Sequence, residues 1–145
     1  MLIGHIGVAL LQHRFMDADL LPVMAGALYP DALDKTLCQV LALTPSGRMW
    51  AHTALSVGIT TIGVGLVAGG RAARSWLLGY VGHLLADLEG PIPWWYPFRT
   101  YQFESSPGFR EIFRHFAENR AEMVFEIGLL GLGLIALTLP RQHTR

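Results

Sequence analysis

Residues 80–98 read YVGHLLADLEGPIPWWYPF, and this stretch decides what kind of chain this is. His83 and Asp87 stand four residues apart in an apolar run that stops at Pro91 and Pro93. At helical spacing, residues i and i+4 share one face, a turn apart. A neutral imidazole and a carboxylate so placed can ligate one metal ion. The chain then leaves through Trp94, Trp95, Tyr96, Pro97 and Phe98, a segment that reads as a membrane-interface belt.

The composition around this stretch points to the same solvent. Of 145 residues, 52% are hydrophobic and 15% charged, against about 25% charged in ordinary soluble domains, and the mean hydropathy is +0.37. That describes a membrane protein, of a length that fits one domain. Lys+Arg and Asp+Glu are equal at 11 each, so there is no basic face for direct nucleic-acid binding. The single cysteine, Cys38, excludes an internal disulfide and a Cys-rich zinc site. It reads as a small apolar filler rather than a nucleophile. The first residues lack a basic start, and His5, Gln12, His13 and Arg14 cut the apolar run short. Membrane insertion is therefore expected to use segments kept in the mature chain.

Outward in both directions the chain alternates apolar runs with polar breaks. Residues 2–11 and 20–29 form two runs of about ten residues each, too short for a conventional span of ~20. Pro30 is expected to end the second run, with Asp31 and Asp34 just beyond it, and residues 35–43 to add a turn or two of helix. Residues 50–69 are the strongest spanning candidate, with no Asp, Glu, Lys or Arg. Residues 76–88 return as the helix that carries His83 and Asp87. Residues 123–139 form a last apolar helix, interrupted by Glu126, which is expected to pair with an arginine or face the cavity, and ended by Pro140. The expected fold is all-α: a small polytopic membrane bundle of about five helices, two short hairpins plus a C-terminal helix. One domain covers 1–145, with a core at 1–98, an interfacial segment at 99–119 and a C-terminal membrane helix at 120–140.

Placing the polar residues on this map gives the main inference. His5 opens the first run and Asp31 follows the second, so an antiparallel hairpin returns both to one end. His52 opens the third run, and His83 and Asp87 lie towards the end of the fourth, which again puts them at one end. With the open ends side by side, His5, Asp31, His52, His83 and Asp87 converge. Three imidazoles and two carboxylates suit zinc or a similar divalent transition metal. Ionisable groups facing lipid cost several kcal/mol and normally face a bundle interior.

Other residues keep two readings. Asp34 is a further ligand, an outer-shell partner or a helix cap. Arg48, four residues before His52, holds an anionic group, pairs with an Asp of the site, or is an interfacial arginine flanking a span. Glu111, His115, Glu118 and Glu122 follow a helical pattern among Phe109, Ile112, Phe113 and Phe116, and read as a helix lying at an interface with a solvated charged face, in preference to a set of metal ligands.

The blocks GALYPDALD (26–34), GRMWAHTAL (47–55) and GYVGHLLADLEGPIPWWYPF (79–98) resemble those of the YdjM-like family. Its members are described as LexA-binding, inner-membrane-associated metal-dependent hydrolases. The second acidic residue of the first block, Asp34, falls one position later than in the family's P-D-x-D. A more distant similarity is to zinc-dependent phospholipase C. That likeness implies that Asp31, His52, His83 and Asp87 form a first metal site and that His5 serves a neighbouring metal. The H-x-x-x-E pair of those enzymes is missing; Glu111 and His115 give only the reversed spacing.

The expected protein is thus a multi-pass protein of the bacterial inner membrane that hydrolyses a phosphoester or ester, lipid-like by analogy. The metal would lower the pKa of a bound water. Arg48 would stabilise charge developing on a phosphoryl or acyl oxygen. Asp34 or Glu89 would accept a proton. The alternative is a non-enzymatic membrane protein whose metal site is structural. It would recruit a LexA-like partner, as the resemblance implies, through the polar segment at 99–119.

Overall fold

The computed structural model describes residues 3–88, 90–103, 105–106 and 108–139. Glu89, expected as a proton acceptor, lies outside the described residues, as do Leu2, Pro107 and Pro140, which bound or break the expected runs. The described residues form six α-helices and no strand. They are α1 (Gly4–Phe15), α2 (Leu20–Lys35), α3 (Ala54–Ala68), α4 (Gly70–Ala86), α5 (Phe109–Glu118) and α6 (Arg120–Thr138), and α2 runs on into a π-helical turn, Thr36–Val40.

Several expected boundaries move: α4 starts at Gly70 rather than residue 76, and α6 at Arg120 rather than residue 123. Pro30 does not end the second run; it lies buried inside α2, which continues to Lys35. A proline removes one N–H and strains the preceding turn, yet here the helix persists. Asp31 and Asp34 therefore lie on the last turn of α2 rather than in a loop, three residues apart and on neighbouring faces. The third helix starts at Ala54, not Trp50. Thr53 caps it by accepting the Ser56 N–H, and residues 50–53 leave the helix to wrap around Asp34. At its far end Gly69, with φ of +86°, supplies the backbone reversal that turns α3 directly into α4.

Small residues set how closely the helices approach. Gly79 of α4 faces the Val23 carbonyl of α2, and Gly26 of α2 faces the Trp76 carbonyl of α4, with no room for a Cβ at either. Gly7 of α1 meets the backbone at Leu129 and Leu130 of α6 in the same way. Such contacts let helix backbones pack tightly without a hydrophobic driving force between them. The helices α1, α2 and α4 thus form the centre, with α3 against α4 and α6 against α1.

The apolar core is small. Tyr80, Leu84 and Ile92 pack with Tyr29, Val57, Trp76 and Trp94, and Ala9, Ala18, Val23 and Ala27 form a second cluster. The larger buried side chains otherwise include His5, His52, His83, Asp34 and Glu126. The outer faces are the reverse: Ile59, Ile62, Leu66 and Val67 of α3 and Val124, Phe125, Leu132 and Ile135 of α6 are exposed. Contiguous exposed apolar surface marks a membrane or partner contact. By length and composition, α6 is the one described helix able to cross a membrane; α3 is apolar but has only 15 residues.

Candidate metal centre

The end of the bundle opposite the α3–α4 turn gathers the ionisable residues. Asp31 comes from the last turn of α2, His52 from the loop before α3, His83 from the last turn of α4, and Asp87 from the residue that caps α4. One ligand atom from each lies within 4.8 Å of the others. His52 Nε2 and His83 Nε2 are 3.3 Å apart. Asp31 Oδ1 is 3.8 and 3.9 Å from the two nitrogens, and Asp87 Oδ2 is 3.9 and 3.8 Å from them.

The outward faces of both imidazoles fix what these atoms are. His83 Nδ1 is 2.8 Å from the Ala27 carbonyl, which can only accept, so Nδ1 carries the proton. His52 Nδ1 is 2.8 Å from Asp34 Oδ2 and donates to that carboxylate. Each Nε2 is then left with a lone pair, and the two lone pairs face each other and two carboxylate oxygens. Asp31 Oδ1 is buried and has no hydrogen-bond donor. One proton between the nitrogens would satisfy that pair and leave Asp31 Oδ1 without a donor, whereas a single cation satisfies all four atoms. Donors about 2.0–2.2 Å from a common ion stand roughly 3.3–3.6 Å apart in a tetrahedron. The two nitrogens stand at that spacing and the carboxylate oxygens are a few tenths of an ångström wider from them, and the mixed nitrogen–oxygen donor set is one that a divalent ion takes.

A surrounding shell holds the four atoms. Asp34 is fully buried and accepts N–H bonds from Met49 (2.7 Å), Trp50 (3.0 Å) and Ala51 (3.0 Å) as well as from His52. It therefore anchors the loop that carries His52 and does not stand open to a substrate as a proton acceptor. The Ala51 carbonyl accepts from the Tyr80 hydroxyl, which pins the same loop to α4. Lys35, one turn after Asp31, holds Asp31 Oδ2 and leaves Oδ1 to the cluster.

Arg48 and His5 complete the surroundings of Asp87. Arg48 Nη2 is 2.8 Å from Asp87 Oδ2, and the arginine side chain is 34% exposed. His5 stacks on His83 with ring centroids 3.8 Å apart, and its Nε2 is 3.4 Å from Asp87 Oδ1. It thus faces the carboxylate oxygen turned away from the other three residues. Burial alone raises the Asp87 pKa, but the close approach of His5 and the Arg48 charge outweigh it and hold the carboxyl below the usual carboxylate range. Glu126 accepts the Ile3 and Gly4 N–H groups and so caps α1, the helix that positions His5; no arginine pairing is involved in those bonds.

Sequence reasoning singled out His5, Asp31, Asp34, Arg48, His52, His83 and Asp87, and all lie in or against this cluster. It missed Lys35 and Tyr80. The Lys35 signal was its i+4 spacing from Asp31, while nothing local marks Tyr80. Glu111, His115, Glu118 and Glu122 are not in the cluster; they lie on α5 and the start of α6, where His115 is 3.4 Å from Glu122 and Arg114 is 4.0 Å from Glu118.

An all-helical bundle, apolar outside and closed on a buried imidazole–carboxylate cluster, defines a class of membrane-associated protein with an internal metal-type site. The chain belongs to the YdjM inner membrane protein family, whose model matches residues 1–143. No curated protein and no solved structure matches it.

Proposed function

We propose that the chain is a multi-pass inner-membrane hydrolase that uses a divalent ion, zinc by its donor set, to cleave a phosphoester or ester. The observation that carries this is the convergence of four lone-pair atoms, with Arg48 beside them and about a third open to solvent. Asp31, His52, His83 and Asp87 would hold the ion. When bound, it would supply Lewis acidity and acidify water at neutral pH. The rest falls to the protein. Asp34 fixes the tautomer and angle of His52, as outer-shell carboxylates do for ligating histidines. Lys35 turns Asp31 Oδ1 inward. Arg48 presents a guanidinium where negative charge would build on a phosphoryl or acyl oxygen. His5 steadies Asp87 from the opposite side. The exposed apolar faces of both α3 and α6 support more than one pass through the membrane, with shorter helices completed by their neighbours.

The test is the metal content of protein purified without chelator, for wild type beside His83→Ala and Asp87→Ala, with helicity checked by circular dichroism. Stoichiometric metal, lost in both folded variants, is the expected result; a metal-free wild type would sink the reading. Turnover is then sought on a panel of phosphoesters and carboxylic esters. Retained metal with no turnover of any of them would move the assignment to a structural site, with residues 99–119 as the surface for a protein partner.

A further inference from the structure

Arg48 and Lys35 each have a second neighbourhood. Besides holding Asp87 and Asp31, both line a cavity of about 620 Å³ beside the cluster. The loop carrying Arg48 is tied to the other wall, since Gly47 donates to Ser106 Oγ and Ser106 N–H donates to the Pro45 carbonyl. That wall continues through α5 into the first turn of α6.

The cavity is electrically polar. On the cluster side its charged residues are Lys35 and Arg48, whose partner carboxylates Asp31 and Asp87 would be shared with the metal. On the helical side they are Glu111, Glu118 and Glu122 against a single arginine, Arg114. Glu118 meets Arg114 in an exposed 4.0 Å pair, and Glu122 meets His115 at 3.4 Å and accepts from Asn119 Nδ2 at 3.2 Å. Exposed pairs of this sort are weak and readily exchanged for a ligand. Phe103 and Phe116 also line the cavity, and aromatic rings attract a cation.

We infer that this cavity takes a zwitterionic phosphoester, an aminoalcohol phosphate whose phosphate meets Arg48 and Lys35 and whose ammonium meets the carboxylate wall at Glu118 and Glu122. A purely anionic ester would bring its second negative or neutral end against that wall, and a simple cation would meet Arg48 and Lys35. The inference rests on the reading of the cluster as a hydrolytic centre, and its test keeps the two apart. A lipid headgroup and a free aminoalcohol phosphate share this chemistry.

The experiment measures binding to the full zinc-loaded chain in detergent at one fixed ionic strength. The probes are phosphorylethanolamine and glycerol 3-phosphate, which share the phosphate and differ in the amine. The expected result is a preference for phosphorylethanolamine of about tenfold, lost in the double variant Glu118→Gln/Glu122→Gln while its metal content stays at the wild-type level. Equal affinity for the two probes in the wild type, or a preference that survives in the double variant, would overturn the inference. A parallel arm follows hydrolysis of phosphatidylethanolamine and phosphatidylglycerol in mixed micelles against the matching glycerophosphodiesters in solution. Turnover confined to the micellar ethanolamine ester identifies the lipid as the source, and equal turnover of its soluble counterpart identifies the free ester. Preference without any turnover removes the hydrolase reading and leaves the binding site; turnover without preference does the opposite.

Discussion

Asp34 Oδ2 lies 2.8 Å from His52 Nδ1, on the side of the imidazole away from the cluster. The same carboxylate accepts N–H groups from three consecutive residues of the loop that carries His52. A single side chain on α2 therefore sets both the path of this loop and the protonation of its histidine. The path could not form without the carboxylate, because three N–H groups would turn inward with no acceptor. This explains why α3 begins only at Ala54.

Asp34→Asn tests the relationship. The amide keeps one acceptor oxygen but places an NH₂ against N–H groups and the His52 Nδ1–H. Metal affinity is expected to fall about 10–100-fold, the usual cost of losing an outer-shell partner. Stoichiometry at saturating zinc should remain as in the wild type. Competition against a chromophoric chelator measures this, and an unchanged dissociation constant would show that Asp34 does not tune His52.

Arg48 can be displaced without touching its own side chain. A Cβ at Gly90 would fall on Arg48 Nη1. Gly90→Ala should therefore push the guanidinium off Asp87 while leaving the four cluster residues in place. The expected outcome is full metal content with turnover reduced in the same direction as in Arg48→Ala. For Arg48→Ala itself the loss should be about 10²–10³-fold if the group stabilises charge in the transition state. Activity of Gly90→Ala equal to wild type, with metal retained, would remove Arg48 from that role.

How much of this was legible in the sequence follows from the range of each signal. The pair His83 and Asp87 is local, four residues on one helix, and its spacing alone marks it. The convergence of Asp31, His52 and the pair was readable because antiparallel runs return their ends to one place. What stayed hidden depends on contacts between distant segments. Pro30 looks like a stop, but Pro30 and Asp34 are buried on one face, the loop before α3 bonds to the Asp34 carboxylate, and the helix runs past the proline to Lys35. The stretch at 50–69 looks like one span because apolar composition does not reveal that the Trp50 and Ala51 N–H groups bond to Asp34. Glu126 reads as a charge that pairs with an arginine or faces the cavity, and the N–H groups that it accepts lie more than a hundred residues away in sequence, where no local pattern points to them.

Two glycines with the same composition context should respond oppositely to one methyl group. Gly79 faces the Val23 carbonyl of α2, while Gly63 of α3 has nothing within 4 Å of a built Cβ. Gly79→Ala forces α2 and α4 apart, at a cost of about 1–3 kcal/mol for overpacking. It also shifts His83, one turn further along α4, relative to Asp31 on α2, so metal affinity should fall as well. Gly63→Ala gains the helix propensity of alanine, about 0.5–1 kcal/mol, with no clash to offset it. Thermal unfolding of both variants in one detergent reads the difference. A Gly79→Ala protein as stable as Gly63→Ala would mean that the two helices are not in such close contact.

The cap on α1 separates stability from metal binding. Glu126 is fully buried and accepts the Ile3 and Gly4 N–H groups at the start of the helix that carries His5. Its negative charge also suits the positive end of the α1 dipole. Glu126→Ala leaves two donors without this acceptor in a buried place, a loss of about 1–3 kcal/mol. Glu126→Gln keeps an acceptor oxygen and gives up the charge, so it should lie between alanine and wild type. Fraying of the first turn of α1 would loosen His5, which meets Asp87 Oδ1 and the His83 ring. The four cluster residues come from α2, the loop before α3 and the end of α4, so zinc stoichiometry should survive in both variants while the unfolding temperature falls in the order wild type, glutamine, alanine. Loss of zinc from a folded Glu126→Gln protein would instead show that His5 and its helix are needed to close the site.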